Sequence, residues 1–111
     1  PALKGKVDGL AIRVPVASGS LIDVVAELEK KTTVEEINAK MKKASETNLK
    51  GILEFTTEPI VSSDVIGNTS SSIFDALSTQ VIDGNFVKVL AWYDNESGYA
   101  QRLVDIAESL A

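Results

Sequence analysis

The first regular feature of the chain is an alternation of apolar and polar positions near its N-terminal end. In the middle of Lys6–Val16, Leu10, Ile12, Val14 and Val16 fall on one parity, and Ala11, Arg13 and Pro15 fall on the other. A period of two predicts a β-strand here. The segment Leu21–Glu29 alternates in the same way, and the short Ser/Gly turn between the segments predicts an antiparallel hairpin. Because Leu21–Glu29 is also rich in helix-favouring residues, a helix is the alternative there.

Two segments carry a helical pattern instead. Thr33 and Glu36 form the sequence signature of a capping box, and a helix is predicted from about 34 to 46. Its inward positions are Val34, Ile37, Met41 and Ala44. A second helix is predicted from about 98 to 110. Its inward stripe is Leu103, Ile106, Ala107 and Leu110.

Short apolar runs separated by turn residues fill the region between these helices. They predict strands at 52–56, 60–64, 71–76, 79–82 and 86–94. The last run is apolar on both faces apart from Lys88, which indicates a central strand. The sum is one α+β domain over residues 1–111. We expect an antiparallel or mixed sheet with two helices on one face, the second of them at the C-terminal end.

Composition excludes several classes of function. The net charge of −5 argues against nucleic acid and anionic membranes as partners. No apolar stretch approaches the ~20 residues of a membrane span, and no signal peptide is recognisable, so a cytoplasmic location is expected. The chain has no Cys and no His. Disulfides, zinc fingers, thiolate nucleophiles and Ser-His-Asp triads are therefore excluded, and neither a catalytic nor a metal-binding residue is expected.

Two polar positions are candidates for a binding site, each with a simpler reading beside it. Arg13 is either a solvated residue on a strand or an anion-binding guanidinium. The seam "WYDNESGYAQR" at 92–102 holds more polar groups than one helix cap needs. Either Asp94 or Asn95 caps the last helix, and the Asn95 amide offers both a donor and an acceptor to a ligand carboxamide. The serine-rich segments 62–64 and 67–72 lack a P-loop lysine and are read as loops.

Six blocks of the sequence occur in a characteristic order. They are "LKGKVDGLAIRVPV", "TTVEEIN", "LKGIL", "PIVSSD", "SSIFDA" and "VKVLAWYDNESGYAQRLVD". The chain resembles, in these blocks, roughly the last third of the subunit of phosphorylating glyceraldehyde-3-phosphate dehydrogenase. The resemblance implies the C-terminal part of that family's catalytic domain. The Rossmann domain, the catalytic Cys and the catalytic His of the family all lie upstream of the matching region.

The resemblance also implies roles for three residues. Arg13 matches the family arginine that grips a phosphate in the active site, here the phosphate of glyceraldehyde 3-phosphate. Asn95 matches the asparagine that hydrogen-bonds the nicotinamide carboxamide of NAD, and Tyr99 matches a tyrosine close to the nicotinamide. Many family members have Trp where this chain has Ser97, which leaves NADP as the alternative cofactor.

The resemblance further implies inorganic phosphate as a second substrate, an N-terminal Rossmann domain as a neighbour, and a homotetramer, all in the full-length enzyme. The 111-residue chain alone is expected to be inactive and to self-associate through exposed apolar surface. Two alternatives stay open. One is a free-standing, non-catalytic binding or assembly domain on the same scaffold, and the other is a segment of erythrose-4-phosphate dehydrogenase.

Overall fold

A mixed four-stranded sheet forms the body of the molecule in a computed structural model that describes all 111 residues. The elements are β1 (Ser20–Glu27), α1 (Val34–Glu46), β2 (Leu53–Thr56), a short 3-10 helix (Ser62–Val65), β3 (Ser72–Ile82), β4 (Phe86–Tyr93) and α2 (Ser97–Ser109). The strand order is β1-β4-β3-β2. β4 is antiparallel to both its neighbours, whereas β2 and β3 are parallel. The α+β prediction and the central place of the last strand are confirmed.

The helix α1 begins where the capping pattern predicts. The Thr33 side chain accepts a hydrogen bond from the Glu36 amide at 3.2 Å, which satisfies one of the free amides of the first turn. The Glu36 carboxylate accepts from the Thr32 hydroxyl at 3.1 Å. Of the two hydrogen bonds of the predicted capping box, the one from the Glu36 amide to the Thr33 side chain forms. The Glu36 carboxylate bonds instead to Thr32, the residue before the cap.

The core lies between α1 and the β2–β3 side of the sheet. Phe74 is 1% exposed, and its ring stacks on that of Phe55 with centroids 5.9 Å apart. Burial of a side chain of this size contributes about 1.5–3 kcal/mol. Around these rings pack Ile37, Met41, Ala44, Leu49, Leu53, Ala76 and Val89. Only 11 of the 111 residues are buried, so the core is small for the length of the chain.

A bulge interrupts β3 where the sequence predicts two separate strands. The register against β4 shifts between Asp75 and Gln80, but the strand continues to Ile82. The buried Asp75 carboxylate accepts hydrogen bonds from the Leu77 amide at 3.1 Å and the Ser78 amide at 3.3 Å. Because the side chain satisfies amides that the bulge removes from the ladder, the two predicted strands form one.

The predicted strand at Lys6–Val16 is wrong, and so is its hairpin with the next segment. β1 forms as predicted but pairs with β4, and residues before Ser20 belong to no strand. A strand needs a partner ladder for its backbone groups, and alternation alone does not provide one. The extended N-terminal segment helps to raise the radius of gyration to 15.2 Å, compared with about 13 Å for a compact chain of this size.

The predicted strand at 60–64 is also wrong. The Asp64 carboxylate accepts from the Val61 amide at 2.8 Å, and this local bond favours the 3-10 turn of Ser62–Val65 over a ladder. Gly19 packs against that turn with a φ of +87°. A Cβ at Gly19 would lie 2.6 Å from the Ser62 carbonyl oxygen, so both the backbone angle and the space require glycine.

The helix α2 matches its prediction to within a residue at each end. The predicted inward stripe is nevertheless wrong for this chain: Leu103 and Ile106 are 52% and 57% exposed, Ala107 is exposed, and Leu110, just past the helix, is 82% exposed. Val104 is 50% exposed as well. The contacts that hold α2 are made near its N-terminal half, to the segments around Gly51 and Ser70. Neither helix is long and apolar enough to cross a membrane.

Candidate functional site

Asp94 organises the junction between β4 and α2. Its carboxylate accepts hydrogen bonds from the Glu96 amide at 2.8 Å, the Ser97 amide at 3.0 Å and the Ser97 hydroxyl at 3.2 Å. It also accepts from the Gly67 amide at 2.7 Å. These donors, led by the amides of Ser97 and Gly67, lower the pKa of Asp94 to about 2. The carboxylate is therefore charged at neutral pH and caps the turn that leads into α2, whose N-cap residue Glu96 makes no side-chain capping bond of its own.

The Asn95 side chain is left free because Asp94 does the capping. Its Oδ1 atom accepts from the Ser20 hydroxyl at 3.4 Å, well beyond the usual O–H···O length. Its Nδ2 group donates no hydrogen bond within the chain, and the residue is exposed. Of the two capping candidates in the sequence, the structure selects Asp94, and the Asn95 amide remains available to a ligand.

A surface cavity of about 340 Å³ lies beside this junction. It is lined by Ser71, Tyr93, Asp94, Asn95, Gly98, Tyr99 and Arg102. Two of the three residues singled out in the sequence, Asn95 and Tyr99, thus share one cavity. Tyr99 is 69% exposed, so most of its ring is available to a ligand or a neighbouring domain.

The floor of this cavity depends on a close approach between α2 and the loop before β3. A Cβ at Gly98 would lie 2.9 Å from the Ser70 carbonyl oxygen, which is backbone and cannot swing aside. Gly98 is accordingly buried. The absence of a side chain at this one position lets the first turn of α2 rest on Ser70 and Ser71.

Arg13 lies outside the cavity. It is exposed in the irregular N-terminal segment, and its guanidinium makes no hydrogen bond or ion pair within the chain. The 111-residue chain therefore does not bring Arg13 together with Asn95 and Tyr99. Its assignment as a phosphate ligand remains a prediction.

The serine-rich segment 67–72 is engaged in holding the site. The Gly67 amide donates to Asp94 and the Ser70 amide donates to Asn68 Oδ1 at 2.8 Å. Glu54 accepts from the Asn68 amide group at 2.8 Å. These two backbone amides are occupied by the protein's own side chains, which fits the reading of the segment as a loop.

Sequence reasoning missed Arg102. Its Nη1 group donates to the Gly51 carbonyl and to the Ser71 hydroxyl, both at 3.2 Å. Its Nε atom lies 2.8 Å from a carboxylate oxygen of Asp105. The sequence did contain a clue to this residue, because Arg102 lies three residues after Tyr99 and so falls on the same helix face.

The structure thus defines an α+β domain with a surface cavity at the start of its last helix. The family model described as "Glyceraldehyde 3-phosphate dehydrogenase, C-terminal domain" matches residues 1–95. The chain belongs to the glyceraldehyde 3-phosphate dehydrogenase family.

Similar proteins extend this match along the whole chain. The glyceraldehyde-3-phosphate dehydrogenase of Geobacillus stearothermophilus is 59% identical over 111 residues, which are 100% of this chain and 33% of that protein. That of Priestia megaterium is 57% identical over the same shares. Glyceraldehyde-3-phosphate dehydrogenase 1 of Bacillus cereus is 60% identical over 107 residues, 96% of this chain and 32% of that protein. The chain spans about a third of the length of these relatives.

Proposed function

We propose that residues 1–111 form the C-terminal part of the catalytic domain of a glycolytic oxidoreductase. The full-length enzyme would convert glyceraldehyde 3-phosphate, phosphate and NAD to 1,3-bisphosphoglycerate and NADH. The names of relatives 57–60% identical to this chain support this activity over that of an erythrose-4-phosphate dehydrogenase or a free-standing binding domain. An upstream Rossmann domain, the catalytic Cys and His, and a homotetramer belong to the same proposal.

The observation that carries the proposal is that Asp94 and Asn95, although adjacent, have different roles. Asp94 caps α2, and Asn95 keeps an amide that makes only one long hydrogen bond. An amide pairs with a carboxamide by donating one hydrogen bond and accepting another. The nicotinamide of NAD carries such a carboxamide, and the cofactor supplies the hydride acceptor when bound. Asn95 would fix the orientation of that ring.

The size of the cavity fits part of a dinucleotide. Its volume of about 340 Å³ lies at the lower end of the roughly 300–1,000 Å³ of small-molecule sites. One ring system with its amide fits this volume, and the rest of the cofactor would lie on the Rossmann domain. Tyr99 would supply an apolar wall beside the ring. NAD is the proposed cofactor, with NADP as the alternative.

Arg13 is proposed to bind the phosphate of the aldehyde substrate. Support comes from its exposed guanidinium, which is not paired with any carboxylate in the chain. A guanidinium presents its donors in a planar fork that matches a phosphate. Arg13 would orient the substrate and take no part in bond making.

The 111-residue chain is proposed to be inactive by itself, because it has no thiol to attack an aldehyde and no imidazole to act as base. The test mixes the purified chain with NAD, glyceraldehyde 3-phosphate and phosphate. No absorbance of NADH is expected, and any turnover that copurifies with the chain through several columns would contradict the proposal.

The binding roles are tested in the full-length subunit. Asn95→Ala should raise KM for NAD on the order of tenfold, since one well-placed hydrogen bond is worth about 1–1.5 kcal/mol. Arg13→Ala should raise KM for glyceraldehyde 3-phosphate and leave KM for NAD almost unchanged. The matched controls are Asn48→Ala and Lys6→Ala, which alter exposed residues away from the cavity. Unchanged kinetics for Asn95→Ala would overturn the proposed nicotinamide contact.

A further inference from the structure

We propose that Arg102 is a positioning residue, which holds α2 so that Asn95 and Tyr99 face the same cavity. The inference rests on the proposed function, in which Asn95 reads the nicotinamide amide. It concerns a side chain that was not among the candidates in the sequence and that acts on the ligand only through its neighbours.

The first step is that, within residues 1–111, apolar packing does not hold α2 in place. Leu103, Val104 and Ile106 are 50–57% exposed, so the helix buries little apolar surface against the sheet. Gly98 is its buried residue. A helix held by so little burial is free to shift unless polar contacts fix it.

The second step is that Arg102 connects the body of α2 to the sheet. Its Nη1 group donates to the Gly51 carbonyl, just before β2, and to the Ser71 hydroxyl, just before β3. A single guanidinium thus binds the segments that lie just before two neighbouring strands. The Asp94 cap fixes the first turn of α2 to Gly67, and Arg102 fixes the helix again past its first turn.

The third step is that the guanidinium itself is held in one orientation. The Asp105 carboxylate lies 2.8 Å from Nε and also accepts from the Gln101 amide group at 2.9 Å. Both side chains are partly buried, and their contact is an ion pair and not a hydrogen bond, since the Nε group makes no hydrogen bond. A planar guanidinium held in this way fixes the helix relative to the strands, whereas a flexible lysine would hold the helix more loosely.

The consequence concerns the cavity. Tyr99 and Arg102 are three residues apart on one helix face, and Arg102 lines the same cavity. Release of the Arg102 contacts would let α2 pivot about the Asp94 cap. The Tyr99 ring would then leave the cavity, and the Asn95 amide at the foot of the helix would lose its fixed direction.

The test uses the full-length subunit with Arg102→Met, Arg102→Lys and Ser71→Ala. Arg102→Met should raise KM for NAD on the order of tenfold and leave KM for glyceraldehyde 3-phosphate unchanged. Arg102→Lys should restore part of the affinity, and Ser71→Ala, which removes one contact, should show a smaller rise. A variant that merely folded poorly would lower the active fraction, and hence kcat, without a selective change in KM. Glu108→Gln, on the exposed part of α2, is the matched control.

A multiple-mutant comparison separates positioning from direct contact. If Arg102 acts only through Asn95 and Tyr99, then adding Arg102→Met to the double variant Asn95→Ala, Tyr99→Ala should weaken NAD binding little further. Additive losses would mean that Arg102 touches the ligand itself and would overturn the inference. An effect of Asn95→Ala without any effect of Arg102→Met would also overturn it. If Asn95→Ala itself has no effect, the proposed function fails first, which distinguishes the two failures.

Discussion

The Asp94 carboxylate accepts a hydrogen bond from the Gly67 amide at 2.7 Å, which ties the end of β4 to the loop that precedes β3. The two residues are 27 positions apart in the chain. Through this one contact the carboxylate that caps α2 also fixes the wall of the cavity, so the charge of Asp94 supports helix and loop together.

Asp94→Asn should destabilise the chain at neutral pH, because an amide cannot accept all four hydrogen bonds. The pKa of Asp94 is lowered from 3.8 to about 2 in the folded state. Its stabilising contribution is therefore complete above pH 4–5 and is lost as the pH falls from about 4 to about 2. Urea unfolding at several pH values measures this. The gap between wild type and variant should close in that window.

The control for this experiment is Asp8→Asn, which changes an exposed carboxylate in the irregular N-terminal segment. It should leave the pH profile of unfolding close to that of the wild type. A gap between wild type and Asp94→Asn that persists undiminished at pH 2 would contradict the assigned pKa.

Phe74→Ala should cost about 3–5 kcal/mol, the usual loss for a phenylalanine removed from a core. Phe74 is 1% exposed and stacks on Phe55, and few other residues of this chain are as deeply buried. The comparison is Phe86→Ala on β4, where the side chain is 45% exposed and the loss should be clearly smaller. Thermal and urea unfolding followed by circular dichroism measure both. Equal losses would show that the core lies elsewhere.

Asn38→Ala should loosen α1 from the β3 bulge. The Asn38 amide group donates to the Ala76 carbonyl at 3.0 Å, and its Oδ1 atom accepts from the buried Thr79 hydroxyl at 2.7 Å. The variant leaves both partners unsatisfied, at a cost of about 1–3 kcal/mol. A double-mutant cycle with Thr79→Val, read from urea unfolding, should give non-additive losses. Strict additivity would mean that the two side chains do not interact in solution.

The 111-residue chain should self-associate. β1 is an edge strand without proline or lysine, and its apolar side chains Leu21, Ile22, Val24 and Val25 are 41–51% exposed. Such an edge can pair with a strand of a second copy. Sedimentation across a range of concentrations should show oligomers, and Val24→Lys should weaken them more than Val104→Lys on α2. A monomer at the highest concentration would count against this expectation.

Local signals in the sequence predicted the elements that depend on local chemistry. The Thr33 cap, the apolar spacing of α1 and α2 and the apolar character of β4 each placed an element to within one or two residues. The predictions failed where the outcome depends on pairing between strands. The segment 6–16 alternates like a strand but has no partner in this chain, and one bulge held by Asp75 joined two predicted strands.

For the cavity, too, the features that depend on local sequence were predicted and those that depend on the fold were not. Asn95 was a candidate from its polar surroundings and from the resemblance, and Tyr99 from the resemblance alone; the two lie together because both are close to the start of α2. The role of Asp94 as the cap was left open in the sequence, since Asp and Asn are nearly equal as caps. Only the fold shows that Gly67 supplies a further donor and settles the choice. The helical spacing after Tyr99 pointed to Arg102, but only the fold shows its acceptors at Gly51 and Ser71, which are remote in sequence.

The burial of Gly19 against Ser62 has a consequence for proteolysis. Residues 1–17 are exposed and outside the sheet, and they include Lys4, Lys6 and Arg13 as trypsin sites, whereas Ser20 already belongs to β1. Brief digestion should therefore trim the chain from its N-terminal end and spare the domain from β1 onward. The shortened product would keep Asn95, Tyr99 and their cavity but lose the segment that carries the proposed phosphate ligand.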